Sequence, residues 1–506
     1  MHATPDIQPH DQYNQQLLDH VHPSDWVNPK PADLYNMVVI GAGVGGLVSA
    51  SIGAALGARV ALVERHLLGG DCLNWGCVPS KAIIRSSRVW ADIKQAHQYG
   101  FRVPQNVEVD FAAVMERMRR LRSGISQNDS AARFTGLGVD VFLGEARFTA
   151  PDAIEVDGLK LCFKKAVIAT GARAYIPEIP GLDQAGYLTN ETIFQLTERP
   201  GHLLVLGGGP IGCEMAQAFS RLGSRVTIVQ NVSRILPRDD QEAAEIVQSQ
   251  FIQENIDIRV DSTVTRVTTD GDQKQVEINT KSGAETISAD AILVSTGRSP
   301  NVDGLGLETA GVDFDQRQGV QVNPYMQTAN PKIYAVGDVC MAYKFTHAAD
   351  AVARIVARNA LFPGKSKADG LIIPWCTYTD PEIAHVGMTP MQALEKQIEI
   401  DTYRCDFSEV DRAVLDGEED GFVKIHVNKG TDKIIGATIA ARHAGDMINE
   451  ITIAMTHKIG LGKLSGVIHP YPTQAEAIRK TADAYNRTRL TPTKKKIISL
   501  VIKWLS

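Results

Sequence analysis

Runs of buried-type apolar residues, each followed by a glycine-rich loop, mark two similar segments of the chain. In the first, residues 35–40 read as a buried strand that leads into the loop GAGVGG, a helix of small residues and a second strand ending at Glu64. Such glycines permit a tight turn and close approach to a pyrophosphate, and an acid about 20 residues on hydrogen-bonds a ribose. The pattern predicts a dinucleotide site formed by Gly41, Gly43, Gly46 and Glu64.

The same order of strand, loop, helix and strand recurs from residue 203 to residue 230. The glycines of the second loop are Gly207, Gly209 and Gly212. Counting from the first glycine of each loop, Gln230 falls where the first segment has Glu64. Loss of that carboxylate removes its repulsion of a 2′-phosphate, and Arg234 and Arg238 lie nearby in sequence. The pattern favours NADPH, with NADH possible, although these arginines also fit a solvated surface loop.

Two cysteines lie close together in the segment GGDCLNWGCVPSK, residues 69–81. Positions i and i+5 of a regular helix point apart, so a bond between Cys72 and Cys77 requires a distorted first turn. Gly76 permits that distortion. A thiolate near a helix N-terminus and a cation, here Lys81, has a lowered pKa and can cycle between dithiol and disulfide. The alternative is a pair of buried cysteines at a glycine-rich turn.

Composition narrows the class of protein. A chain of 506 residues with 22% charged residues and a net charge of −6 predicts three or four domains and no affinity for nucleic acid. The remaining cysteines are scattered singly, unlike a disulfide framework or a paired zinc site. With neither a signal-like N-terminus nor a long apolar stretch, we expect a cytoplasmic protein.

The two ends of the chain differ from the rest. Residues 1–34 are rich in proline and polar residues and predict a flexible arm, whose histidines could bind a metal ion but fit a solvated tail better. These histidines are His2, His10, His20 and His22. Residues 491–506 form a basic amphipathic tail, which could contact an anionic membrane peripherally, dock a partner or pack on its own domain.

Together with the two glycine loops and the cysteine segment, further motifs occur in a recognisable order. They are Ala169-Thr170-Gly171, Ser295-Thr296-Gly297-Arg298, Ala335-Val336-Gly337-Asp338 and a C-terminal Pro-Thr-x-x-Glu. With this set the chain resembles the FAD-dependent pyridine nucleotide-disulfide oxidoreductases of class I, including the mercuric reductases and dihydrolipoamide dehydrogenases, over about residues 35–490.

The resemblance implies an α/β fold with two Rossmann-like dinucleotide-binding domains, for FAD and for NAD(P)H, and a C-terminal α+β dimerisation domain. The implied boundaries are 35–181 and 295–370 for the FAD-binding domain, 182–294 for the NAD(P)H-binding domain and 371–490 for the dimerisation domain. It further implies a homodimer, in which the C-terminal element of one subunit completes the active site of the other.

The resemblance also implies a role for individual side chains. Asp338 would bind the ribityl chain of FAD, with Gly171 and Gly297 in adjoining loops. Lys81 would lie by the flavin N5 and pair with Glu214. Cys77 would face the flavin, and Cys72 would attack the substrate.

The C-terminal motif departs from that of the disulfide reductases. Tyr471 stands where the catalytic histidine belongs, while Glu476 keeps its place. A tyrosine of ordinary pKa is a poor base at neutral pH, although it can donate a proton. His469, two residues earlier, is an alternative base.

Tyrosine at this position resembles the mercuric reductases, and a soft Hg(II) ion held transiently by Cys72 and Cys77 needs no imidazole base. Those enzymes, however, end in a vicinal cysteine pair and carry an N-terminal metal-binding domain, and neither is expected here. The ion would then arrive on a small carrier thiol. The alternatives are a disulfide reductase of the dihydrolipoamide dehydrogenase or glutathione reductase type, and a flavin-containing sensor or membrane-associated partner.

Overall fold

The computed structural model describes residues 5–104 and 106–505. Contacts along the backbone divide them into two units. The first takes its residues from Met1–Ser233 and Asn255–Gly370, and the second from Arg234–Glu254 and Leu371–Ser506.

The α-helices alternate with strands along most of the chain. In chain order they are α1 Gln12–Val21, α2 Val44–Ala55, α3 Gly70–Asn74, α4 Cys77–Gln95, α5 Phe111–Ser126, α6 Ala131–Gly136, α7 Leu182–Ala185, α8 Pro210–Arg221, α9 Gln241–Gln253, α10 Thr346–Leu361, α11 Pro390–Glu395, α12 Asp411–Asp416, α13 Ala444–Thr456, α14 Leu461–Leu464, α15 Glu476–Thr488 and α16 Pro492–Leu505. Short 3-10 helices cover Ala96–Tyr99, Gln127–Asp129, Ile193–Gln195, Gly337–Val339 and Phe407–Glu409.

The strands form several separate sheets. In chain order they are β1 Tyr35–Ile40, β2 Val60–Glu64, β3 Val139–Leu143, β4 Ala146–Ala150, β5 Ala153–Val156, β6 Leu159–Ile168, β7 Ala172–Ala174, β8 His202–Leu206, β9 Arg225–Val229, β10 Asp257–Arg259, β11 Thr263–Asp270, β12 Gln273–Thr280, β13 Gly283–Ala289, β14 Ala291–Val294, β15 Arg298–Pro300, β16 Phe314–Asp315, β17 Gly319–Val320, β18 Ile333–Ala335, β19 Pro374–Thr377, β20 Glu382–Gly387, β21 Ile400–Asp406, β22 Phe422–Asn428 and β23 Ile434–Ala441.

The largest sheet of the first unit has the order β3-β2-β1-β6-β5-β4, with β18 pairing on β6. Strands β3, β2, β1, β6 and β18 run parallel, whereas β4, β5 and β6 form an antiparallel meander. Every residue of β2 is buried, as expected for a parallel strand covered on both faces. Helix α2 packs against α10 and leads from β1 to β2. This is the first of the two predicted Rossmann-like folds.

The second fold of this type is a parallel sheet of order β10-β9-β8-β14. Helix α8 connects β8 to β9, and the antiparallel strands β11, β12 and β13 form a neighbouring sheet. The buried faces share one apolar cluster that includes Leu204, Val229, Val267 and Ile292. The predicted α/β fold with two dinucleotide-binding arrangements is therefore confirmed.

The second unit is built on an antiparallel sheet of order β19-β20-β23-β22-β21. Helices α13 and α15 pack on this sheet, and together they give the predicted α+β fold. Helix α9 belongs to this unit and contacts β20 and β23. The Lys424 ammonium, whose side chain is 8% exposed, donates to Asp240 at 3.0 Å and to Glu242 at 2.6 Å. These ion pairs join α9 to β22, whereas the sequence placed residues 234–254 in the NAD(P)H-binding segment 182–294.

The prediction of a flexible arm over residues 1–34 is wrong for the helix α1. Asp11 caps this helix by accepting from the amides of Tyr13 and Asn14. Leu17 and Val21 are fully buried, and α1 packs against α5. Because the segment is rich in proline and polar residues, the sequence analysis did not recognise Leu17 and Val21 as the apolar i, i+4 pair that anchors it.

The histidines of this segment do not gather. His10 pairs with Asp6 at 2.7 Å, His20 contacts the Ser126 hydroxyl at 2.8 Å, and His22 Nδ1 donates to a backbone carbonyl, that of His66. His2 lies outside the described residues. Among the residues that are described, no group of three or more His, Cys, Asp or Glu side chains is arranged to hold a metal ion.

The tail predicted for residues 491–506 forms the helix α16 as far as Leu505, and Ser506 lies outside the described residues. No helix within residues 5–104 and 106–505 combines the length and the apolar character that crossing a bilayer requires.

Replacing Leu17 by alanine should lower the free energy of unfolding by about 2–5 kcal/mol, because it leaves a cavity between α1 and α5. The measurement is chemical denaturation of the purified flavoprotein. Gln16→Ala, at an exposed position of the same helix, is the matched control and should change stability little. Equal stability of the two variants would mean that α1 is not anchored as the structure has it.

Candidate active site

The two cysteines lie on either side of a break between two helices. Helix α3 ends at Asn74 and α4 begins at Cys77, with Trp75 and Gly76 between them. A Cβ at Gly76 would lie 2.9 Å from the Asp71 carbonyl oxygen, closer than real contacts. The sequence predicted a distorted first turn of one helix, and the structure has a complete interruption instead. Only glycine fits the interruption without a backbone shift.

The thiols of Cys72 and Cys77 interact directly. The hydrogen bond from Cys72 and the positive charge of Lys81 lower the pKa of Cys77 to about 6, against the opposing effect of burial. The same hydrogen bond, together with burial, raises the pKa of Cys72. Cys77 is therefore the sulfur that carries negative charge at neutral pH.

Lys81 is held by an acidic partner. Its Nζ donates to Glu214 Oε2 at 2.8 Å, and the Glu214 side chain is only 7% exposed. The pair joins α4 to α8, so the helix that begins at Cys77 is tied to the helix that follows the second glycine loop. The structure thus brings Cys72, Cys77, Lys81 and Glu214 together.

Thr346 is a site residue that the sequence analysis missed. Its hydroxyl lies 3.5 Å from the Cys77 sulfur and lowers the pKa of both thiols by hydrogen bonding. Thr346 is the first residue of α10, and the nearest signal in the sequence was the Asp338 motif eight positions before it.

A chain of charges connects the cysteine segment to Asp338. Arg298 donates from Nη2 to Asp71 Oδ2 at 3.0 Å, and its Nε lies 3.3 Å from Asp338 Oδ2. Asn190 donates to the other Asp71 oxygen at 2.9 Å. Burial raises the pKa of Asp338, and Arg298 opposes this effect. Arg298 belongs to the motif Ser295-Thr296-Gly297-Arg298, and no neighbouring residue in the chain indicated its partners.

Glu64 fixes the first glycine loop. Its carboxylate accepts from the amide of Ala42 at 2.6 Å and from that of His66 at 2.8 Å, and complete burial raises its pKa. Gly41 follows the last residue of β1, Gly43 is the N-cap of α2, and Gly46 lies in the first turn of α2. No side chain caps α2, so its first amides are open to a phosphate.

Gln230 makes the corresponding contact in the second loop. Its Oε1 accepts from the amide of Gly208 at 3.1 Å. The N-cap of helix α8 is likewise a glycine, Gly209, and no side chain caps this helix. An amide here keeps the loop in place without the negative charge that Glu64 brings to the first loop. The glycines Gly207 and Gly212 lie at the end of β8 and in the first turn of α8.

Arg234 belongs to the second unit. Its guanidinium donates to the carbonyl oxygens of Leu236 and Pro237 at 2.8 Å and of Asp239 at 3.0 Å. These bonds fix the loop that precedes α9.

The features of the first loop fit FAD. The buried Glu64 carboxylate, the uncapped amides of α2 and the partly buried Asp338 are the groups that a ribose, a pyrophosphate and a ribityl chain require. Gly43 and Gly70 approach so closely that a Cβ on Gly70 would lie 2.6 Å from the Gly43 Cα. The phosphate loop and the cysteine segment are therefore neighbours.

Gly171 and Gly297 lie at the paired strands β7 and β15. The carbonyl of Gly171 accepts from the amide of Asn301 at 3.0 Å, and that of Gly297 accepts from the amide of Tyr175 at 2.9 Å. These bonds hold the adjoining loops in register.

The three candidate residues near the C-terminal motif, Tyr471, Glu476 and His469, lie in the second unit. Tyr471 is 71% exposed, and its hydroxyl donates to Asp411 at 2.7 Å. That hydrogen bond raises the pKa of Tyr471. Glu476 accepts from Arg479 at 2.5 Å, so Tyr471 and Glu476 have different partners here.

His469 also has an acidic partner. Its side chain is 7% exposed, and its Nε2 lies 3.1 Å from both carboxylate oxygens of Glu450. A carboxylate of this kind fixes the orientation and tautomer of an imidazole.

A fully buried arginine lies behind the cysteine segment. Arg122 donates from Nη1 to the carbonyl oxygen of Asn74 at 2.9 Å and from Nη2 to Asn14 Oδ1 at 2.7 Å. Burial lowers its pKa to about 10, so it keeps its charge at neutral pH. Through this side chain, helix α1 supports the loop between the two cysteines.

Comparison with known proteins identifies the family. A family model described as pyridine nucleotide-disulphide oxidoreductase matches residues 35–353, and the model of that family's dimerisation domain matches residues 373–482. The chain belongs to the pyridine nucleotide-disulphide oxidoreductase family. The resemblance drawn from its motifs is confirmed, and the protein is an FAD-dependent oxidoreductase that uses NAD(P)H.

Individual members of the family are similar over most of their length. A mercuric reductase of Staphylococcus aureus is 36% identical over 454 residues, which cover 90% of this chain and 83% of that protein. A dihydrolipoyl dehydrogenase of Thermus scotoductus is 32% identical over 464 residues, which cover 90% and 98%.

Among solved structures, the HOCl-induced flavoprotein disulfide reductase of Escherichia coli superposes with a TM-score of 0.79 at 28% identity, covering 89% of this chain and 99% of that one. That protein has also been solved as a Cu(II) complex.

Because the thiolate is the reactive form of cysteine, alkylation of Cys77 in the reduced flavoprotein should rise to half its maximal rate near pH 6. Lys81→Met removes the positive charge that stabilises the thiolate, so the rise should move to higher pH. Peptide mass spectrometry after iodoacetamide treatment measures the rate at each pH. Lys94→Met, at an exposed position of the same helix, should leave the profile in place. An unchanged profile in Lys81→Met would contradict the role of this ion pair.

Proposed function

We propose that this flavoenzyme uses NADPH to reduce a thiol-bound soft metal ion such as Hg(II) at Cys72 and Cys77. The observation that carries the proposal is that the chain has both a low-pKa thiolate, at Cys77, and a tyrosine, Tyr471, at the position where disulfide reductases have a catalytic histidine. The similarity to mercuric reductases supports the same choice.

The thiol pair suits a soft ion. Thiolates are the preferred ligands of soft metals, and Cys77 supplies one at neutral pH. When the ion binds the Cys77 sulfur, Cys72 loses the acceptor of its hydrogen bond. A bound metal deprotonates a coordinating thiol, so Cys72 can bind the ion as a thiolate. The pair then holds the ion between two sulfurs.

Tyr471 is consistent with this chemistry. Its raised pKa makes it a poor base at neutral pH, and exchange of a metal ion between thiolates requires no base as strong as imidazole. Its exposed hydroxyl instead suits a hydrogen-bonding role towards a ligand.

The ion would enter on a small carrier thiol and exchange directly onto the two cysteines. FAD, when bound, would supply the route by which the two electrons of NADPH reach the cysteine site. The overall reaction converts NADPH and a bis-thiolate Hg(II) complex into NADP⁺, Hg(0), one thiolate and one thiol. Lys81 keeps positive charge beside Cys77 while the ion binds, and Glu214 holds Lys81 in place.

The decisive experiment measures NADPH oxidation by the purified yellow protein with each class of acceptor. Hg(II) with excess small thiol is compared with lipoamide and oxidised glutathione. We expect turnover with a metal ion and much slower turnover with the disulfides, because the imidazole base is missing. Cys72→Ser should reduce metal-dependent oxidation by a factor of about 100 or more, since it removes one of two soft ligands.

Cys405→Ser serves as the matched cysteine control, because Cys405 is buried in the core of the second unit. Absence of metal-dependent NADPH oxidation in the wild-type protein would refute the proposal. Turnover that survives Cys72→Ser would place the chemistry elsewhere.

Disulfide reduction is the second candidate, and the His469–Glu450 pair favours it. If His469 acts as the base in place of Tyr471, disulfides should be reduced and His469→Gln should abolish that activity without affecting metal-dependent oxidation. The E. coli disulfide reductase is a structural relative that supports this alternative.

The choice of nicotinamide cofactor is tested at Gln230. Gln230→Glu should keep the hydrogen bond to Gly208 while adding a negative charge that repels a 2′-phosphate. We expect kcat/KM to shift towards NADH by about tenfold or more. Gln230→Asn, which shortens the side chain without adding charge, is the control. Equal preference in wild type and Gln230→Glu would remove the argument for NADPH.

We also propose that the protein works as a homodimer in the cytoplasm. The match to the family's dimerisation domain supports the dimer, in which the second unit of one subunit would complete the site of the other.

A further inference from the structure

Helix α16 exposes a large apolar surface. No residue of Pro492–Leu505 is buried, and Trp504 and Leu505 are 83% and 72% exposed. The apolar residues of the helix are Ile497, Ile498, Leu500, Val501, Ile502, Trp504 and Leu505. Contiguous apolar surface of this kind marks an interaction site.

From Lys495 onwards, the apolar and polar residues of α16 are sorted onto two faces. At about 100° per residue, the seven apolar positions cover an arc of roughly 200°. The opposite face carries Lys495, Lys496, Ser499 and Lys503. A helix that packs on a protein core usually shows a narrower apolar stripe, whereas a wide apolar face beside lysines is typical of helices lying in a membrane interface.

The charge of the helix has one sign. Pro492–Leu505 contains Lys494, Lys495, Lys496 and Lys503 and no acidic residue. Three of these lysines lie in the first turns, where the helix dipole disfavours positive charge. The exposed Arg487 and Arg489 precede them. An anionic surface would offset this unfavourable arrangement, and a neutral or basic surface would not.

The length of α16 determines how it can meet a bilayer. Its 14 residues span about 21 Å, less than the roughly 30 Å of the hydrocarbon core. The helix can therefore lie along the surface with its apolar face in the interface, where Trp504 is a favourable anchor.

From the sorted faces and the uniform positive charge, we propose that α16 binds the surface of membranes rich in anionic lipids and so brings the oxidoreductase to a lipid bilayer. This inference is independent of the acceptor that the enzyme reduces. It concerns a surface outside the cysteine site.

The test is co-sedimentation of the full-length flavoprotein with vesicles of phosphatidylcholine alone and of equal parts phosphatidylcholine and phosphatidylglycerol. We expect binding to the anionic vesicles, weakened by added salt, and little binding to the neutral ones. Each lysine near an anionic surface contributes about fivefold to partitioning. The combined Lys495→Gln, Lys496→Gln, Lys503→Gln variant should therefore bind roughly 100-fold more weakly.

Matched controls separate the helix from net charge and from folding. Lys164→Gln, Lys367→Gln and Lys433→Gln combined remove the same charge at exposed positions elsewhere and should leave vesicle binding unchanged. Trp504→Ser should weaken binding while NADPH oxidation in solution stays at the wild-type rate.

Three results would overturn the proposal. They are equal binding to neutral and anionic vesicles, equal loss in the control triple variant, and no binding of the wild-type protein. Light scattering tests the alternative that a second copy of the chain, and not a membrane, covers the apolar face of α16. If the α16 triple variant changed the oligomeric state, the helix would belong to a subunit interface instead.

Discussion

The ion pair between Lys81 and Glu214 is the interaction on which the site depends. Lys81 lowers the pKa of Cys77, and the pair joins the helix that begins at Cys77 to the helix that follows the second glycine loop. A mostly buried carboxylate of this kind is tolerated because its partner is at hydrogen-bonding distance, and breaking the pair would leave Glu214 uncompensated. The same contact therefore serves the chemistry of the thiol and the packing of the first unit.

Around that pair, the site is assembled from segments that are far apart in sequence. Asp71, Arg298 and Asp338 form a line of charges from the cysteine segment to the motif after β18. Arg122 reaches the same segment from the opposite side through the Asn74 carbonyl. The cysteine segment is thus held by charged or polar contacts on two sides and by a helix break in its middle. These contacts together keep the sulfurs of Cys72 and Cys77 next to each other although no regular helix connects them.

The sequence alone was sufficient to predict the features that depend on short local patterns. The two glycine loops, the cysteine segment and the order of the motifs gave the fold and the family, since each depends on residues adjacent in the chain. Partners across long distances were not readable. Nothing near Arg298 or Arg122 in sequence indicated Asp71 or Asn14, and Thr346 carried no signal of its contact with Cys77. The ordered helix α1 was missed because its two buried apolar residues lie in a polar, proline-rich stretch.

The approach of Gly43 to Gly70 has a consequence for how this site can change over generations. Gly43 occupies the space that a side chain on Gly70 would need, because a Cβ on Gly70 would lie 2.6 Å from the Gly43 Cα. One position belongs to the loop that suits a pyrophosphate and the other introduces the cysteines. A side chain at position 70 would therefore displace the phosphate loop as well as the segment that introduces the cysteines. Position 70 is consequently restricted to glycine for as long as the loop at Gly43 keeps this course.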